Sequence, residues 1–284
     1  MPPEKAPETG NGTGMPARGP TKHFVGIDSG SWTTKAVVID ETGTVLGSAV
    51  VQSAADLTGA SARALEQAAS RAGVAFDEAT IWATGFGRAS IEIASGSRTE
   101  LDCHARGVRH YVRGALAVLD IGGQDAKVIK LDEQGHRVSH KMNRKCAAGT
   151  GSFLDEIALR LGVPVSDLGD LASGYREELE LGSFCTVFTA TELLGAIRQG
   201  KRPADLARAA YKSIVKRVLE MAQFDRPVVA TGGVIAHHPM VVALLTEALG
   251  RDIVVPPHPQ EMGAFGAALA ARDAASESPQ HARG

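Results

Sequence analysis

The chain has 284 residues, of which 44% are hydrophobic and 22% charged, and its formal net charge is −2 at pH 7. That length is enough for two lobes with a substantial core. The nearly balanced charge argues against binding to nucleic acid or to a membrane surface. We find no apolar run of the roughly 18–20 residues that a membrane span needs.

The cysteine count and the first residues indicate the compartment. Three cysteines cannot form a disulfide framework, which is typical of a reducing environment. The chain begins without the basic segment and apolar region of a secretory signal. We therefore expect a cytoplasmic protein.

The pattern of residue types predicts a tail followed by two lobes. Residues 1–21 are dominated by Pro, Gly, Thr and charged residues, with little to bury, and are predicted to be disordered. Lobe I is expected over residues 22–112 and lobe II over residues 113–260. A connector helix over residues 261–273 is predicted to return to lobe I, and residues 274–284 to fray.

Lobe I is predicted to start with strands. The apolar run His23–Asp28 ends on a carboxylate and is followed by the turn SGSWTTK, a second strand and a hairpin turn at 41–43. Further elements are expected as a strand at Thr44–Val51, a helix at Thr58–Ala72, a strand at Ile81–Thr84 and a helix at Thr99–Tyr111. Gly107 weakens the prediction of the last helix.

Lobe II repeats this plan. A strand at Leu116–Ile121 also places an aspartate, Asp120, just before a glycine turn, and two further strands follow at Ala126–Leu131 and His136–Met142. This recurrence indicates an internal duplication. Helical patterns then cover Gly151–Leu161, Val165–Ser173, Thr189–Gln199, Pro203–Ala222, Met240–Leu249 and Glu261–Arg272, with strands at Pro227–Thr231 and Asp252–Val255. Strands interleaved with helices predict an α/β fold.

Two glycine turns, each after a strand that ends in Asp, are predicted to hold the phosphates of a nucleotide from opposite sides. Glycine allows backbone N–H groups to approach phosphate oxygens closely. The expected contacts come from Gly30, Ser31, Thr33 and Thr34 in the first turn and from Gly122, Gly123 and Gln124 in the second.

Acidic and basic residues beside these turns complete the predicted site. Asp28 and Asp120 would hold Mg²⁺ through its waters, and Lys35 would neutralise charge on the transferred phosphoryl group. Gln124 is a candidate for orienting the attacking water. A third turn, Thr231-Gly232-Gly233, could accept the adenosine. The sequence has neither the GxxxxGK[ST] nor the GxGxxG pattern of the commonest alternative nucleotide sites.

Two cysteines stand in distinctive contexts, Cys146 in NRKCAAGTGSF and Cys185 in GSFCTVF. Two thiolates supply half of the four that a 4Fe–4S cluster usually needs, so a two-fold dimer could complete one shared cluster. Each cysteine precedes a predicted helix, whose N-terminus favours thiolate, and Gly149 and Gly151 permit close approach. The alternative is that both are buried thiols packing as small apolar residues. Cys103, in LDCHARG, is interpreted as structural.

The histidines of the sequence do not indicate a metal site. His104 is interpreted as a residue of the connecting helix rather than a ligand. His237 and His238 are adjacent, so their side chains are expected to diverge, at the surface or at the rim of the nucleotide site.

The segments GIDSGSWTTK, LDIGGQDAKVI, ATGGVIAHHP and EMGAFGAALAA resemble the signature of the actin, hexokinase and heat-shock-chaperone ATPases. That resemblance implies two RNase H-like lobes with ATP between them. KCAAGTGSFLDEIA and CTVF resemble more narrowly the BadF/BadG/BcrA/BcrD ATPase family, which comprises activators of 2-hydroxyacyl-CoA dehydratases and ATPase subunits of benzoyl-CoA reductases. The similarity runs from about Phe24 to Ala271.

The family resemblance implies an ATP-dependent electron donor. It would take ATP, Mg²⁺ and one 4Fe–4S cluster per dimer, receive electrons from ferredoxin or flavodoxin, and pass them to an acyl-CoA reductase or dehydratase component. The dimer mate would be an identical chain or a paralogous ATPase subunit. After CTVF the chain reads TATELLGAIRQG where dehydratase activators carry an AESE-like run, and this favours a benzoyl-CoA reductase subunit over a dehydratase activator. A small-molecule kinase and a nucleotide-dependent scaffold are the other readings.

Overall fold

The computed structural model describes residues 22–75, 79–143, 148–181 and 186–277. The predicted tail at 1–21 and the cysteines Cys146 and Cys185 lie outside these residues. The described chain contains two five-stranded mixed sheets with helices around them, which confirms the predicted α/β, two-lobe architecture.

The first sheet has the strand order β3-β2-β1-β4-β5. The helix α1 (Leu57–Ala72) covers it; the Asp56 side chain caps its start, and Gly73 ends it in the left-handed region. The strands are β1 (His23–Ser29), β2 (Thr33–Ile39), β3 (Val45–Gln52), β4 (Ala79–Thr84) and β5 (Gly96–Ser97).

The second sheet has the order β10-β9-β6-β7-β8. Its strands are β6 (Leu116–Ile121), β7 (Ala126–Leu131), β8 (Arg137–Asn143), β9 (Val228–Thr231) and β10 (Ile253–Val254). The remaining helices are α2 (Glu100–Tyr111), α3 (Gly151–Leu161), α4 (Leu168–Ser173), α5 (Thr186–Arg198), α6 (Pro203–Met221), α7 (Gly233–His237), α8 (Pro239–Leu249) and α9 (Met262–Glu277).

The two sheets share one topology and one register. In each, the first strand pairs antiparallel with the second and parallel with the fourth. Asp28 faces Lys35 and Thr84 in the first sheet, and Asp120 faces Lys127 and Thr231 in the second. Each sheet therefore has an aspartate, a lysine and a threonine at three equivalent positions. The similarity between the lobes, predicted as an internal duplication, includes these residues at the strand ends.

Helices α2 and α9 cross between the two sheets. The crossing is close because it falls on glycines: a Cβ at Gly266 would overlap the carbonyl oxygen of Cys103, and one at Gly107 would lie 2.6 Å from the carbonyl oxygen of Met262. Gly107, which weakened the helix prediction, therefore permits this contact. A buried cluster that includes Phe24, Leu116 and Phe265 continues from one sheet through the helices to the other.

Several element boundaries differ from the prediction. Val165–Ser173 divides into a 3₁₀ turn and α4, and the turn expected after β9 contains the short helix α7. Strand β5 was not predicted, and α9 continues past Arg272 to Glu277. None of the helices in the described residues is long and apolar enough to cross a membrane.

Candidate functional site

A cleft of about 520 Å³ lies between the two sheets, where β1 and β6 end. Its volume is within the range of small-molecule and cofactor sites. Both glycine turns line it, together with the start of α3 and of α7. Across the cleft, the Trp32 side chain lies against the backbone of Gly123, so the two turns are in contact.

Asp28 at the end of β1 is buried but incompletely paired. Its Oδ2 lies 3.5 Å from Nζ of Lys35, and its Oδ1 has no hydrogen-bond partner among the described residues. A buried carboxylate oxygen without a partner is costly unless a ligand, water or ion completes it. Asp28 therefore has free acceptor capacity in the cleft.

Asp120 at the end of β6 is fully engaged. Its Oδ2 accepts a hydrogen bond from Lys127 at 3.0 Å, and its Oδ1 accepts one from Thr231 at 2.9 Å and lies 3.5 Å from Nδ1 of His104. Burial raises the pKa of Asp120, but His104, Lys127 and the two hydrogen bonds outweigh it and hold that pKa well below its usual range. Asp120 is therefore a carboxylate at neutral pH.

Lys127 joins several carboxylates under the cleft. Only 2% of its side chain is exposed, and Nζ lies 2.8 Å from Glu100, 3.0 Å from Asp120 and 3.0 Å from Asp125. Burial lowers the pKa of Lys127, whereas these three neighbours raise it well above the usual value. Glu100 has a lowered pKa because the charges of Lys127 and His104 outweigh its burial. Burial raises the pKa of Asp125.

The cleft carries an excess of negative charge. Of the residues that the structure describes, two lysines line it, Lys35 and Lys127, against five carboxylates. The carboxylates are Asp28, Glu100, Asp120, Asp125 and Asp155. Among the described residues, no group of three or more His, Cys, Asp or Glu side chains is placed to hold a metal ion directly.

The second glycine turn is bonded directly to helix α3. The backbone N–H of Gly151 donates to the carbonyl oxygen of Gly122 at 2.9 Å, and that of Ser152 donates to Gly123 at 2.8 Å. These are two of the N–H groups that a helix start leaves without an intrahelical acceptor. The second glycine turn and the start of α3 are therefore joined directly through the backbone.

Most of the predicted site residues come together in the cleft. Those that line it are Asp28, Gly30, Ser31, Thr33, Lys35, Asp120, Gly122, Gly123, Gln124, Gly151, Gly232 and Gly233.

Three predicted residues do not line it. Thr34 is buried and its hydroxyl bonds to Ser53 at 2.9 Å, while Ser53 donates to the carbonyl oxygen of Gly30, so Thr34 supports the first turn from behind. Thr231 is also buried and donates to Asp120. Gly149 adopts a φ of +84° next to Arg217, which explains the glycine by backbone conformation.

Sequence reasoning missed Glu100, His104 and Lys127. His104, interpreted as a helix residue without a site role, is buried and lines the cleft between Asp28 and Asp120. A signal for Lys127 was present, since Lys35 and Lys127 each stand at the same spacing after an aspartate. Glu100 and His104 are brought to the cleft by the path of α2, for which no local pattern gives a sign.

The adjacent histidines both line the cleft but have different partners. Nε2 of His237 lies 2.8 Å from Oε1 of Gln260, and Nδ1 of His238 lies 2.8 Å from the hydroxyl of Tyr211. Cys103 is a buried free thiol. Burial raises its pKa to about 12, in agreement with a structural role.

The fold and the cleft define a two-lobe ATPase of the actin and hexokinase type. A glucokinase of the ROK family from Streptomyces griseus has a TM-score of 0.54 at 14% identity over 88% of this chain and 99% of that one, a likeness of fold alone. The sequence profile of the BadF/BadG/BcrA/BcrD ATPase family matches residues 25–271. The chain belongs to that family, as the sequence resemblance predicted.

Within the family, three similar proteins are dehydratase activators. The 2-hydroxyisocaproyl-CoA dehydratase activator of Clostridioides difficile is 37% identical over 92% of this chain and 99% of its own. The (R)-2-hydroxyglutaryl-CoA dehydratase activating ATPase of Acidaminococcus fermentans is 36% identical over 87% and 96%. The solved structure of the activator of 2-hydroxyisocaproyl-CoA dehydratase from Clostridium difficile with bound ADPNP has a TM-score of 0.84 at 36% identity, covering 90% of this chain and 96% of that one.

The benzoyl-CoA reductase branch is more distant. One of the subunits of the benzoyl-CoA reductase of Thauera aromatica is 30% identical over 66% of this chain and 68% of its own. The order of the two sequence-based readings is therefore reversed, and the departure after CTVF did not identify the subclass.

Proposed function

We propose that this protein is the ATP-hydrolysing activator of a 2-hydroxyacyl-CoA dehydratase and delivers electrons to that enzyme. The hydrogen bonds from α3 to the second glycine turn carry the proposal. They connect a nucleotide cleft to the helix that follows Cys146. A kinase of this fold has no comparable need for a cysteine segment attached to its phosphate turn.

Residues of the cleft have distinct roles in this proposal. The N–H groups of the turns at Gly30 and Gly122 would face the phosphates, and Lys35 would offset the charge that develops on the transferred group. The free Oδ1 of Asp28 and the negative charge of the cleft suit a hydrated Mg²⁺, which retains its waters in such sites. Gln124 lines the cleft and remains the candidate for orienting water.

For Asp120 we propose a supporting role instead of the expected contact with the waters of Mg²⁺. Its two oxygens already accept hydrogen bonds from Lys127 and Thr231. It would therefore act on Mg²⁺ through its charge and fix the end of β6, whereas Asp28 offers the open acceptor. The gamma phosphate, present in ATP and absent from ADP, would set the position of the second turn and so of α3. Only a different affinity of ATP and ADP for the two positions can drive such a change.

Cys146 and Cys185 would hold half of a shared 4Fe–4S cluster, with two more thiolates from a second copy of the chain. When bound, such a cluster supplies one-electron transfer at low potential. Cys185 directly precedes α5, and α5 packs against α3. The helices that follow the two cysteines are therefore neighbours, as ligands of one cluster require. Ferredoxin or flavodoxin would be the electron source.

Anaerobic purification of the full chain tests this function. We expect a brown protein with about four irons per two chains. Cys146→Ala and Cys185→Ala should each lose the iron and keep ATP binding. Cys103→Ala is the matched control and should keep its iron, because Cys103 is buried in the α2–α9 contact. A colourless protein that binds ATP but takes up no iron on reconstitution would refute the proposal.

A further inference from the structure

A second cavity, of about 730 Å³, lies away from the nucleotide cleft and is strongly basic. It is lined by helix α2, the β7–β8 turn and the end of α9. Its charged side chains are six arginines and two aspartates, Asp102 and Asp273. The arginines are Arg98, Arg106, Arg109, Arg113, Arg137 and Arg272.

Internal ion pairs do not account for this excess of positive charge. Asp273 pairs with both Arg106 and Arg272. Arg109 donates to the carbonyl oxygens of Gly114 and Glu133 and has no carboxylate partner among the described residues. Arg113 and Arg137 have no carboxylate partner within the described part of the chain. On a chain whose net charge is −2, this concentration of guanidinium groups is local and specific.

The cavity walls hold several of these groups in place. Arg109 lies over Gly135 in the β7–β8 turn, and Nη1 of Arg272 lies close to Gly43 in the turn between β2 and β3. Arg98 is positioned over the Trp82 ring, with its Cζ 5.6 Å from the ring centroid. Nε of Arg106 is buried and has no hydrogen-bond partner among the described residues. Planar guanidinium groups fixed in this way match the oxygens of a phosphate.

We propose that this cavity binds a small molecule that carries two or more phosphate groups. The concave shape and the volume suit a small molecule rather than a flat protein surface. Several arginines converging on one space require an anion of more than one charge. The described carboxylates that line the cavity supply two negative charges, which is too few.

Helix α2 would connect such a ligand to the nucleotide cleft. One side of α2 places Glu100 and His104 in the cleft, and another places Arg106 and Arg109 in the basic cavity, which Arg113 also lines just after the helix ends. A ligand that holds these arginines against the β7–β8 turn would fix α2 relative to the second sheet. The expected consequence is a change in the rate of ATP hydrolysis, of either sign.

Calorimetric titration with inorganic pyrophosphate tests the proposal. The full chain is first saturated with a non-hydrolysable ATP analogue, at a fixed concentration of free Mg²⁺, so that the cleft is occupied. We expect one further saturable site per chain. Arg113→Gln and Arg137→Gln should each weaken it about tenfold, the effect of one lost charged hydrogen bond. Both side chains are exposed, so folding should be preserved.

Arg63→Gln is the matched control, since Arg63 is an exposed arginine on α1 outside the cavity. Its affinity for pyrophosphate should equal that of the unaltered protein. The proposal is wrong if no saturable binding occurs. It is also wrong if Arg63→Gln weakens binding as much as Arg113→Gln, or if pyrophosphate displaces the analogue from the cleft.

Discussion

Two aspartate–lysine pairs occupy equivalent places in the two lobes but differ in their surroundings. Lys35 is partly exposed, and Asp28, at 3.5 Å, is its one carboxylate partner among the described residues. Lys127 is buried and contacts three carboxylates within 3.0 Å. One pair is thus open to a ligand, and the other is part of the structural support. Their substitution should therefore have different effects.

Lys127→Met is expected to destabilise the fold. It leaves buried carboxylates without their cation, a loss of about 3–5 kcal/mol in the free energy of unfolding. Lys35→Met should lower that free energy by less than Lys127→Met does, because it removes one long contact to a single described carboxylate instead of three short ones. The same change should reduce ATP hydrolysis about 10²-fold by removing a charge next to the phosphates.

Urea unfolding and ATPase rates of the two variants separate these roles. Equal losses of stability would contradict the assignment of Lys127 to structural support. An unchanged rate of hydrolysis in Lys35→Met would contradict the placement of phosphate in the cleft.

His238 is expected to remain neutral far below the usual pH. Burial lowers its pKa to about 4, with a smaller contribution from His237. The unfolded chain, with a histidine pKa of 6.5, therefore binds more protons between these values. This group's contribution to stability is complete above about pH 6.5 and is lost as the pH falls toward 4, by about 3 kcal/mol at most.

NMR titration of the histidine ring protons measures this directly, with His238→Gln identifying the signal. A pKa of His238 near 6.5 would contradict the buried contact with Tyr211. The free energy of unfolding of His238→Gln should also decline less between pH 6.5 and 4 than that of the unaltered protein.

The sequence predicted those cleft residues that lie at strand ends and in turns, because a local pattern marks them. Asp28 and Asp120 were found because each ends an apolar strand before a glycine turn. Glu100 and His104 were missed because a long-range helix path brings them to the cleft. Thr34 and Thr231 were assigned to the nucleotide as residues of the glycine turns, but both side chains are buried and bond to Ser53 and Asp120 instead.

At the scale of elements, α2 and α9 cross closely between the two sheets. It depends on Gly107 and Gly266, where a side chain would meet the backbone of the other helix. The same helices carry Glu100 and His104 toward the cleft and basic residues toward the second cavity. The geometry of the α2–α9 crossing therefore affects both the cleft and the second cavity.

Gly266→Ala should force this crossing apart. The added methyl group would overlap the carbonyl oxygen of Cys103, and overpacking of this kind costs about 1–3 kcal/mol or more. Gly195→Ala in α5 is the matched control. It has no heavy atom within 4 Å of the added position and should gain up to about 1 kcal/mol from helix propensity. Thermal unfolding of both variants gives the result, and a neutral Gly266→Ala would refute the account of the crossing.

Many of the helices and strands were predictable because the hydrophobic periodicity and the residues at the element ends indicate the same bounds. Helix α3 has the predicted bounds, and α1 ends at Ala72 before a left-handed glycine, as its sequence indicated. The errors of prediction occur where contacts between distant parts of the chain determine the secondary structure. Strand β5 is two residues long and exists through its pairing with β4. Helix α7 was not predicted because it begins just after a glycine bend, where the sequence is typical of a plain turn.

At the scale of the whole molecule, two related sheets enclose a cleft whose second turn is bonded to the helix after Cys146. We expect the nucleotide bound in the cleft, ATP or ADP, to change the position of the cysteine segment through α3. Helix α3 would thereby connect the cleft to the proposed cluster.

Hydrogen–deuterium exchange of the full chain with Mg-ADP and with a Mg-bound non-hydrolysable ATP analogue tests this claim most directly. The peptide that contains Gly151 and Ser152 should exchange at different rates in the two states, because their N–H groups are bonded to the second turn. A peptide within Leu57–Ala72 of α1 should exchange equally in both. Equal exchange of the Gly151 peptide in both states, with both nucleotides bound, would contradict the account.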